Sequence, residues 1–583
     1  MKILLTAINA KFIHSSLAIR YLKKSCQSIS GYIECAEYTI NNHEDYILTE
    51  IFKKRPDVIC FSCYIWNIAL VLSLAENLKK VLPKCIILCG GPEVSYESED
   101  FIRNHSCIDI VIRGEGEISF YNTACALINN SNLSGVNGIT YKDGKSIVST
   151  PPEKPIDMEK LPFVYDSIDD LKHKIIYYET QRGCPYNCQF CLSSIEKGVR
   201  FMPLEKVYKH LDFFLKNKVR QVKFVDRTFN CSKEHSEAIW KYLIENDNGV
   251  TNFHMEIEGH IITESSIEIL KNARNGLFQF EIGIQSTNPK TLEAVKRNPN
   301  FEPLKEKIIK IQELKNIHIH LDLIAGLPFE GYNSFAKSFN DVYSLYPDQL
   351  QLGFLKVLKG SGLKKDAEKY GIEYRGKAPY ETLFTKDMTF EEMTLLKGIE
   401  NIVETYYNSP KALNTVKYLA TVFETPFVFF EKFASFWEKN GCHNVSHSKQ
   451  ELYTILFEFA TSYMAAENKV EIITNLLKYD MLLSETLNSC PSWLPIDTSE
   501  EFKNSKRKFF SDKENVKKFL PNLINYTPAQ LSRMCTIEKF SINPLEYVGS
   551  GSISKGCFYI LFDYSNRNFI TNHAETKEIE VKT

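Results

Sequence analysis

The stretch "KIIYYETQRGCPYNCQFCLSS" occupies residues 174–194 and joins a β-like apolar run to three thiols, Cys184, Cys188 and Cys191, within one short turn. Gly183 and Pro185 bracket the first of them. The spacing Cys-x-x-x-Cys-x-x-Cys sets three thiolates around one corner of a metal site. Zinc would need a fourth Cys or His to close its tetrahedron, and no His lies near the motif. A four-iron, four-sulfur cluster held by the same three thiols keeps one iron without a protein ligand, which is a place for a small molecule to bind.

Downstream, the apolar runs "QVKFVD", "FHMEIEG", "FQFEIGIQS", "HIHLDLIAGLP" and "LQLGFLKVL" alternate with segments apolar at helical spacing, such as "PLEKVYKHLDFFLKN" and "SKEHSEAIWKYLIEN". With "KIIYYET" they make six βα units, which predict a partial (β/α)6 barrel over 173–365 with its site at the carboxyl ends of the strands. Upstream, "KILLTAI", "YIECAEYTI", "DVICFSCYI", "CIILCGG" and "DIVIRGEG" alternate with helix-like stretches over residues 1–148. That order predicts a doubly wound, Rossmann-like parallel sheet with a ligand crevice at its strand ends. Proline-rich "STPPEKPIDMEKLPFVYD" breaks the pattern, so 149–172 read as a linker. Residues 366–583 are expected to be mainly helical, with a short strand-like ending "GCFYILFDY". The fold class is α/β with a helical C-terminal domain.

Bulk properties limit the function. The chain has 583 residues, 70 Lys and Arg against 72 Asp and Glu, and a net charge of -2, so no global field attracts nucleic acid. Sixteen cysteines in so long a chain are too sparse for a disulfide scaffold, and the opening "MKILLTAINAKF" does not read as a signal peptide. A reduced, cytoplasmic, monomeric protein without a membrane span is expected. The stretch "FKNSKRKFFSDKENVKKFL" at 502–520 is the most basic, with interleaved aromatics that could touch RNA phosphates. A solvated helix face is the favoured reading there, and tRNA is not the favoured partner.

The cysteine motif, its place after the first barrel strand and the six βα units resemble the radical S-adenosylmethionine (SAM) superfamily. That resemblance implies a cluster on Cys184, Cys188 and Cys191 whose open iron is chelated by SAM, and an electron donor such as flavodoxin or ferredoxin. It further implies ribose contacts from Gln285 and Asp322, contacts to the methionine part of SAM from Glu258 and Arg297, and Phe190 packing near the adenine. A carboxylate facing an amine and a guanidinium facing a carboxylate make chemical sense.

The loops "GGPEVS" (90–95) and "RGEGE" (113–117), together with "DVICFSCYIWNI", resemble the cobalamin-binding domain found ahead of many such barrels. The corrin is then expected across Ser62, Tyr64, Gly90, Gly91, Glu93, Gly114, Glu115 and Glu117. Cobalamin domains that supply a cobalt ligand use Asp-x-His-x-x-Gly; "NAKFIHSSLA" offers His14 without the Asp or Gly, so His14 reads as a loop residue ahead of a Ser15 or Ser16 helix cap. Cys60 and Cys63 fall on opposite faces of a strand and read as buried apolar groups. The implied activity is reductive cleavage of SAM to a 5'-deoxyadenosyl radical, with methyl transfer from cobalamin to an unactivated carbon. A non-methylating radical reaction such as cyclisation, ring contraction, rearrangement or tRNA base modification is the alternative. The C-terminal domain, similar to a helical extension of unknown role in a group of bacterial proteins, is expected to close the barrel mouth over substrate.

Overall fold

In the computed structural model, residues 1–581 are described apart from 196, 410, 465–466, 487–489, 495 and 569–571. The chain divides into two compact units, one of residues 1–338 with 353–390 and the other of 339–352 with 391–583.

The first unit begins with β1 (Ile3–Asn9), β2 (Ile33–Thr39), β3 (Val58–Ser62), β4 (Ile86–Gly90) and β5 (Ile110–Ile112), paired in parallel in the order β2-β1-β3-β4-β5. Every residue of β1 is buried, as expected for a central strand covered on both faces. The order reverses direction beside β1, and such a switch point opens a crevice at the carboxyl ends of the strands. An antiparallel hairpin, β6 (Ile139–Asp143) and β7 (Ser146–Ser149), extends the sheet beyond β5. The alternating βα reading did not include this hairpin. Its short polar strand β7 closes the edge.

The second sheet holds β8 (Ile176–Tyr178), β11 (Gln221–Phe224), β12 (Asn252–Ile257), β13 (Phe278–Gln285), β14 (Ile317–Ala325) and β15 (Gln349–Phe354) in sequential order, each at a run read as a strand from the sequence. Alternation sends Met255 and Phe280 outward against Trp240 of helix Lys233–Glu245. The opposite face therefore carries Lys223, His254, Glu281, His320 and Asp322 to the concave side. A two-stranded antiparallel ribbon absent from the sequence reading, β9 (Gln181–Gly183) with β10 (Val199–Phe201), closes the base of the cysteine loop. Between Glu373 and Phe384 a second small ribbon forms, β16 (Glu373–Tyr374) with β17 (Thr382–Phe384).

The other unit packs helices Leu413–Val422, Pro426–Lys439, Lys449–Tyr463 and Glu467–Ser484 around Phe430, Phe433, Leu456 and Phe459. It ends in an antiparallel sheet, β18 (Cys535–Ile542), β19 (Lys555–Arg567) and β20 (Ala574–Ile579), larger than the single ending strand expected. Tyr479 and Leu482 cluster with Phe540, Ile560 and Phe562 beneath it. Phe502, Phe509 and Phe510 of the basic stretch are buried in this unit's core, so those aromatic faces are unavailable for stacking on bases.

Candidate active site

Three thiols sit on a loop fixed at both ends. The backbone N–H of Gln189 donates to Val295 and its carbonyl accepts from Leu363, while the Ser194 hydroxyl donates to the carbonyls of Cys188 (2.9 Å) and Cys191 (2.7 Å). Gly183 opens the loop at φ +97°, and a Cβ there would stand 2.1 Å from the carbonyl oxygen of Gly198, the residue just before the facing strand. Only glycine fits that position. Cys188 is buried, and Cys184 and Cys191 are half-buried. Three thiols carried by one loop are the donor set that holds a four-iron, four-sulfur cluster with one iron left without a protein ligand, so the residues present fit iron–sulfur ligation.

Around this loop the strand ends bring up the expected polar groups. Arg297 donates to the Glu258 carboxylate (3.2 Å), to the Gly283 carbonyl (2.5 Å) and to the Cys188 sulfur (3.7 Å). Sequence reasoning missed His260, whose Nδ1 lies 2.7 Å from Glu258 and whose Nε2 lies 2.9 Å from the Asn300 carbonyl. Burial works against the His260 charge, yet the Glu258 and Asn300 contacts leave its pKa raised; burial likewise opposes the Glu258 charge, and His260 and Arg297 overcome it and lower its pKa. Gln285 ends β13 after a bulge, at φ +71°, and its Oε1 is buried without a hydrogen-bond partner. Asp322 lies opposite Gly283 within β14, three residues short of the strand end rather than at it, and its Oδ1 is also buried and unpartnered. Burial, reinforced by Glu281 and Glu256, drives the Asp322 pKa well up. Orphaned acceptors of this kind mark a place where a ligand donor is missing. Phe190 packs against the apolar cluster of Val295, Leu327 and Leu363.

Beside the loop lies a cavity of about 1060 Å3, as large as the largest small-molecule pockets. All eight first-domain residues singled out for the corrin line it, and Phe190 and Cys191 line it from the barrel. Gly91, at φ +113°, has its Cα so close to the Cys63 carbonyl that a Cβ would stand 2.6 Å from the oxygen. Tyr64 and Trp66 stack at 4.3 Å on the wall. His14 also faces the cavity; its Nδ1 bonds the Tyr177 hydroxyl, and Ser16, at the cap position, makes no side-chain capping bond. Ser15 instead donates to the Ile175 carbonyl. Cys60 and Cys63 fall into separate buried clusters on the two sides of the sheet.

The three acidic residues have partners that the sequence reading did not foresee. Arg182, two residues before Cys184, bonds Glu117 (2.6 Å) and Glu179 (2.7 Å) and lies 3.4 Å from Glu115, which also pairs with Arg200. Glu93 is buried against Lys359 (2.8 Å) and the Tyr380 hydroxyl. These carboxylates tie the first-domain loops to the barrel. At the foot of the motif, buried Asp226 accepts from the Thr180 and Gln181 amides and the Thr180 hydroxyl. No local motif signals these arrangements, because, Glu179 apart, the partners are distant in the sequence.

Comparison with known proteins decides the assignment. A B12 binding domain model matches residues 3–124 and a Radical SAM superfamily model matches 178–342. The chain joins a B12 binding domain to a radical SAM domain. Residues 368–562 match a "Protein of unknown function (DUF4080)" model. The chain is 24% identical over 362 residues to the cobalamin-dependent radical SAM methyltransferase TokK of Streptomyces tokunonensis, a match covering 56% of this chain and 51% of that one. Over 258 residues it is 26% identical to an anaerobic magnesium-protoporphyrin IX monomethyl ester cyclase of Synechocystis, covering 41% and 50%. Its fold resembles that of the cobalamin-dependent SAM radical enzyme OxsB, solved with aqua-cobalamin and SAM bound, at TM-score 0.57 and 14% identity over 82% of this chain and 83% of that one. The chain spans about half the length of the curated relatives it matches. Both domain types are cofactor domains, the one for cobalamin and the other for a four-iron, four-sulfur cluster and SAM. Among the described residues, no helix is long and apolar enough to cross a membrane.

Proposed function

We propose that this protein is a cobalamin-dependent radical SAM methyltransferase acting on an unactivated carbon. The observation that carries the reading is the single cavity bounded on one side by the Ser62, Gly90–Gly91 and Gly114 strand ends and on the other by Phe190 and Cys191. Cys184, Cys188 and Cys191 would hold the cluster. Glu258 and Arg297 would receive the amino and carboxylate groups of SAM, exchanging their mutual ion pair for the ligand's charges. Gln285 and Asp322 would satisfy their unpartnered oxygens on the ribose hydroxyls, and Phe190 would flank the adenine. Ser62, Tyr64 and the glycine loops would face the corrin, while Glu93, Glu115 and Glu117 hold those loops in place. When bound, the cofactors supply a reductively generated 5'-deoxyadenosyl radical and a transferable methyl group. The protein's part is to orient the two, keep water from them and receive one electron at a time from a flavodoxin- or ferredoxin-like donor.

A second reading, a non-methylating radical reaction, is favoured by the cyclase relative. Anaerobic reconstitution with hydroxocobalamin, a low-potential reductant that takes the cobalt to Co(I), and SAM carrying a deuterated methyl group separates the two. Retained cobalamin that acquires the labelled methyl supports methyl transfer; retained cobalamin that stays unmethylated through SAM turnover contradicts it.

A further inference from the structure

Below the SAM-facing groups, three neighbouring strands direct His254 (β12), Glu281 (β13) and His320 (β14) onto the concave side of the barrel. Glu281 and His320 are register partners across β13 and β14, and His254 lies on the same face of β12 two residues before Glu256, the residue paired with Glu281. Both histidines are 7% exposed, and one ligand atom from each of the three residues falls within 4.8 Å of the others. His254 Nε2 lies 3.0 Å from Glu281 Oε2, the two imidazole centroids are 5.5 Å apart, and the Gln279 side-chain amide lies 2.6 Å from His320 Nε2.

We propose that His254, Glu281 and His320 form a mononuclear site for a divalent transition metal, zinc or ferrous iron, separate from the cysteine cluster. Two imidazoles and one carboxylate on one side of an ion are a donor set that zinc and ferrous iron accept, with positions left open for other ligands. Donors at bonds of about 2.0–2.2 Å lie about 3–4 Å apart, so the three side chains need only small rotations to converge. Their strands are rigid elements of the sheet, and the register fixes which atoms meet. The Gln279 amide, turned to present its oxygen, is available as a further ligand or as the hydrogen-bond partner that orients His320.

Lys223 supplies the counter-argument and the sharpest test. Its ammonium lies 3.2 Å from Glu281 Oε2, so without an ion it and His254 share that carboxylate. An ion taking Glu281 must displace the ammonium, which the four-carbon stem of lysine permits. A purely structural Lys–Glu–His network would lose stability when Lys223 is removed and gain nothing. A metal site would bind its ion more tightly, because a like charge has gone.

Asp322 stands two residues beyond His320 on the same face of β14, and its Oδ1 is unpartnered. An ion here would anchor a carboxylate, carbonyl or hydroxyl oxygen of the substrate beneath SAM. That anchoring role rests on the radical SAM reading; ion binding itself does not.

The test uses the full-length Cys184→Ala/Cys188→Ala/Cys191→Ala chain, so that no thiol cluster competes, titrated with zinc and with cobalt(II) as a spectroscopic probe. We expect one ion per chain with nitrogen and oxygen ligation and no thiolate charge-transfer band. His254→Ala and His320→Ala on that background should weaken binding by about 100-fold. Lys223→Met should tighten it by about 10-fold or more. Absence of stoichiometric binding, equal affinity in the histidine variants, or weaker binding in Lys223→Met would each overturn the site. Should the cysteine variant not fold, the iron- and cobalamin-loaded natural chain answers the same question, through one equivalent of zinc above its iron that is lost in His320→Ala.

Discussion

Replacing Arg182 by methionine should loosen the cysteine loop without touching a cysteine. Its guanidinium is only 14% exposed and is the shared partner of Glu117 and Glu179, themselves 6% and 10% exposed at the side chain, with Glu115 at 3.4 Å. Burial works against the guanidinium's charge, but the surrounding carboxylates overcome it and raise its pKa. Removing one member of a buried ion pair costs about 3–5 kcal/mol, because the remaining charge is left desolvated and uncompensated. Here at least two carboxylates are left facing each other. A loss of 3 kcal/mol corresponds to a local opening equilibrium shifted by about 100-fold or more, so hydrogen exchange of the β9 and β10 amides should accelerate by that factor. Adding Glu117→Gln and Glu179→Gln should recover most of it, since the variant then buries no unpaired charge. An acceleration of less than about fivefold, or a triple variant no better than Arg182→Met alone, would refute the idea that this ion cluster fixes the loop.

Three further outcomes are expected. Gly91→Ala should cost about 1–3 kcal/mol for its backbone conformation alone, and its Cβ at 2.6 Å from the Cys63 carbonyl should reshape the loop; cobalamin retained after gel filtration should fall from stoichiometric to trace. Asp226 is pushed by burial to a pKa of about 7, against hydrogen bonds from Gln181 and Thr180 that lower it, so the folded state holds its proton more tightly than the unfolded chain. Its contribution to stability is therefore greatest below about pH 4 and is lost as pH rises towards 7, by about 4 kcal/mol over that window; Asp226→Asn should flatten this part of the pH profile in urea denaturation, and an unchanged profile would count against it. Gln285→Ala and Asp322→Asn should raise the KM for SAM by about tenfold each, the worth of one hydrogen bond to a buried acceptor, with little change in kcat; a fall in kcat alone would move both residues from SAM binding to the chemistry.

The large-scale order was legible because hydrophobic periodicity is a local property. Every barrel strand from Ile176 to Phe354 coincides with an apolar run, and the five parallel strands of the first sheet do likewise. Cys184, Cys188 and Cys191 announced themselves by spacing. What stayed hidden was set by distant partners. Glu93, Glu115 and Glu117 stand in glycine-rich loops that look like ligand loops, but their carboxylates meet Lys359, Arg182 and Arg200. The alternation of "HIHLDL", "FQFEIG" and "NFHMEI" did put His320, Glu281 and His254 on one face of each strand. Only the register between strands shows that they converge. The ribbon of β9 and β10 was equally invisible, since three residues on either side of an irregular loop carry no periodicity.

The cluster and its chemistry are tested together by anaerobic reconstitution with iron and sulfide, reduction in the presence of SAM, and mass spectrometry for 5'-deoxyadenosine. Cluster ligation by the three cysteines requires about four irons and four sulfides per chain and 5'-deoxyadenosine formation that disappears in Cys188→Ala. A colourless protein that retains zinc on the three cysteines, or deoxyadenosine formation undiminished in Cys188→Ala, would contradict it.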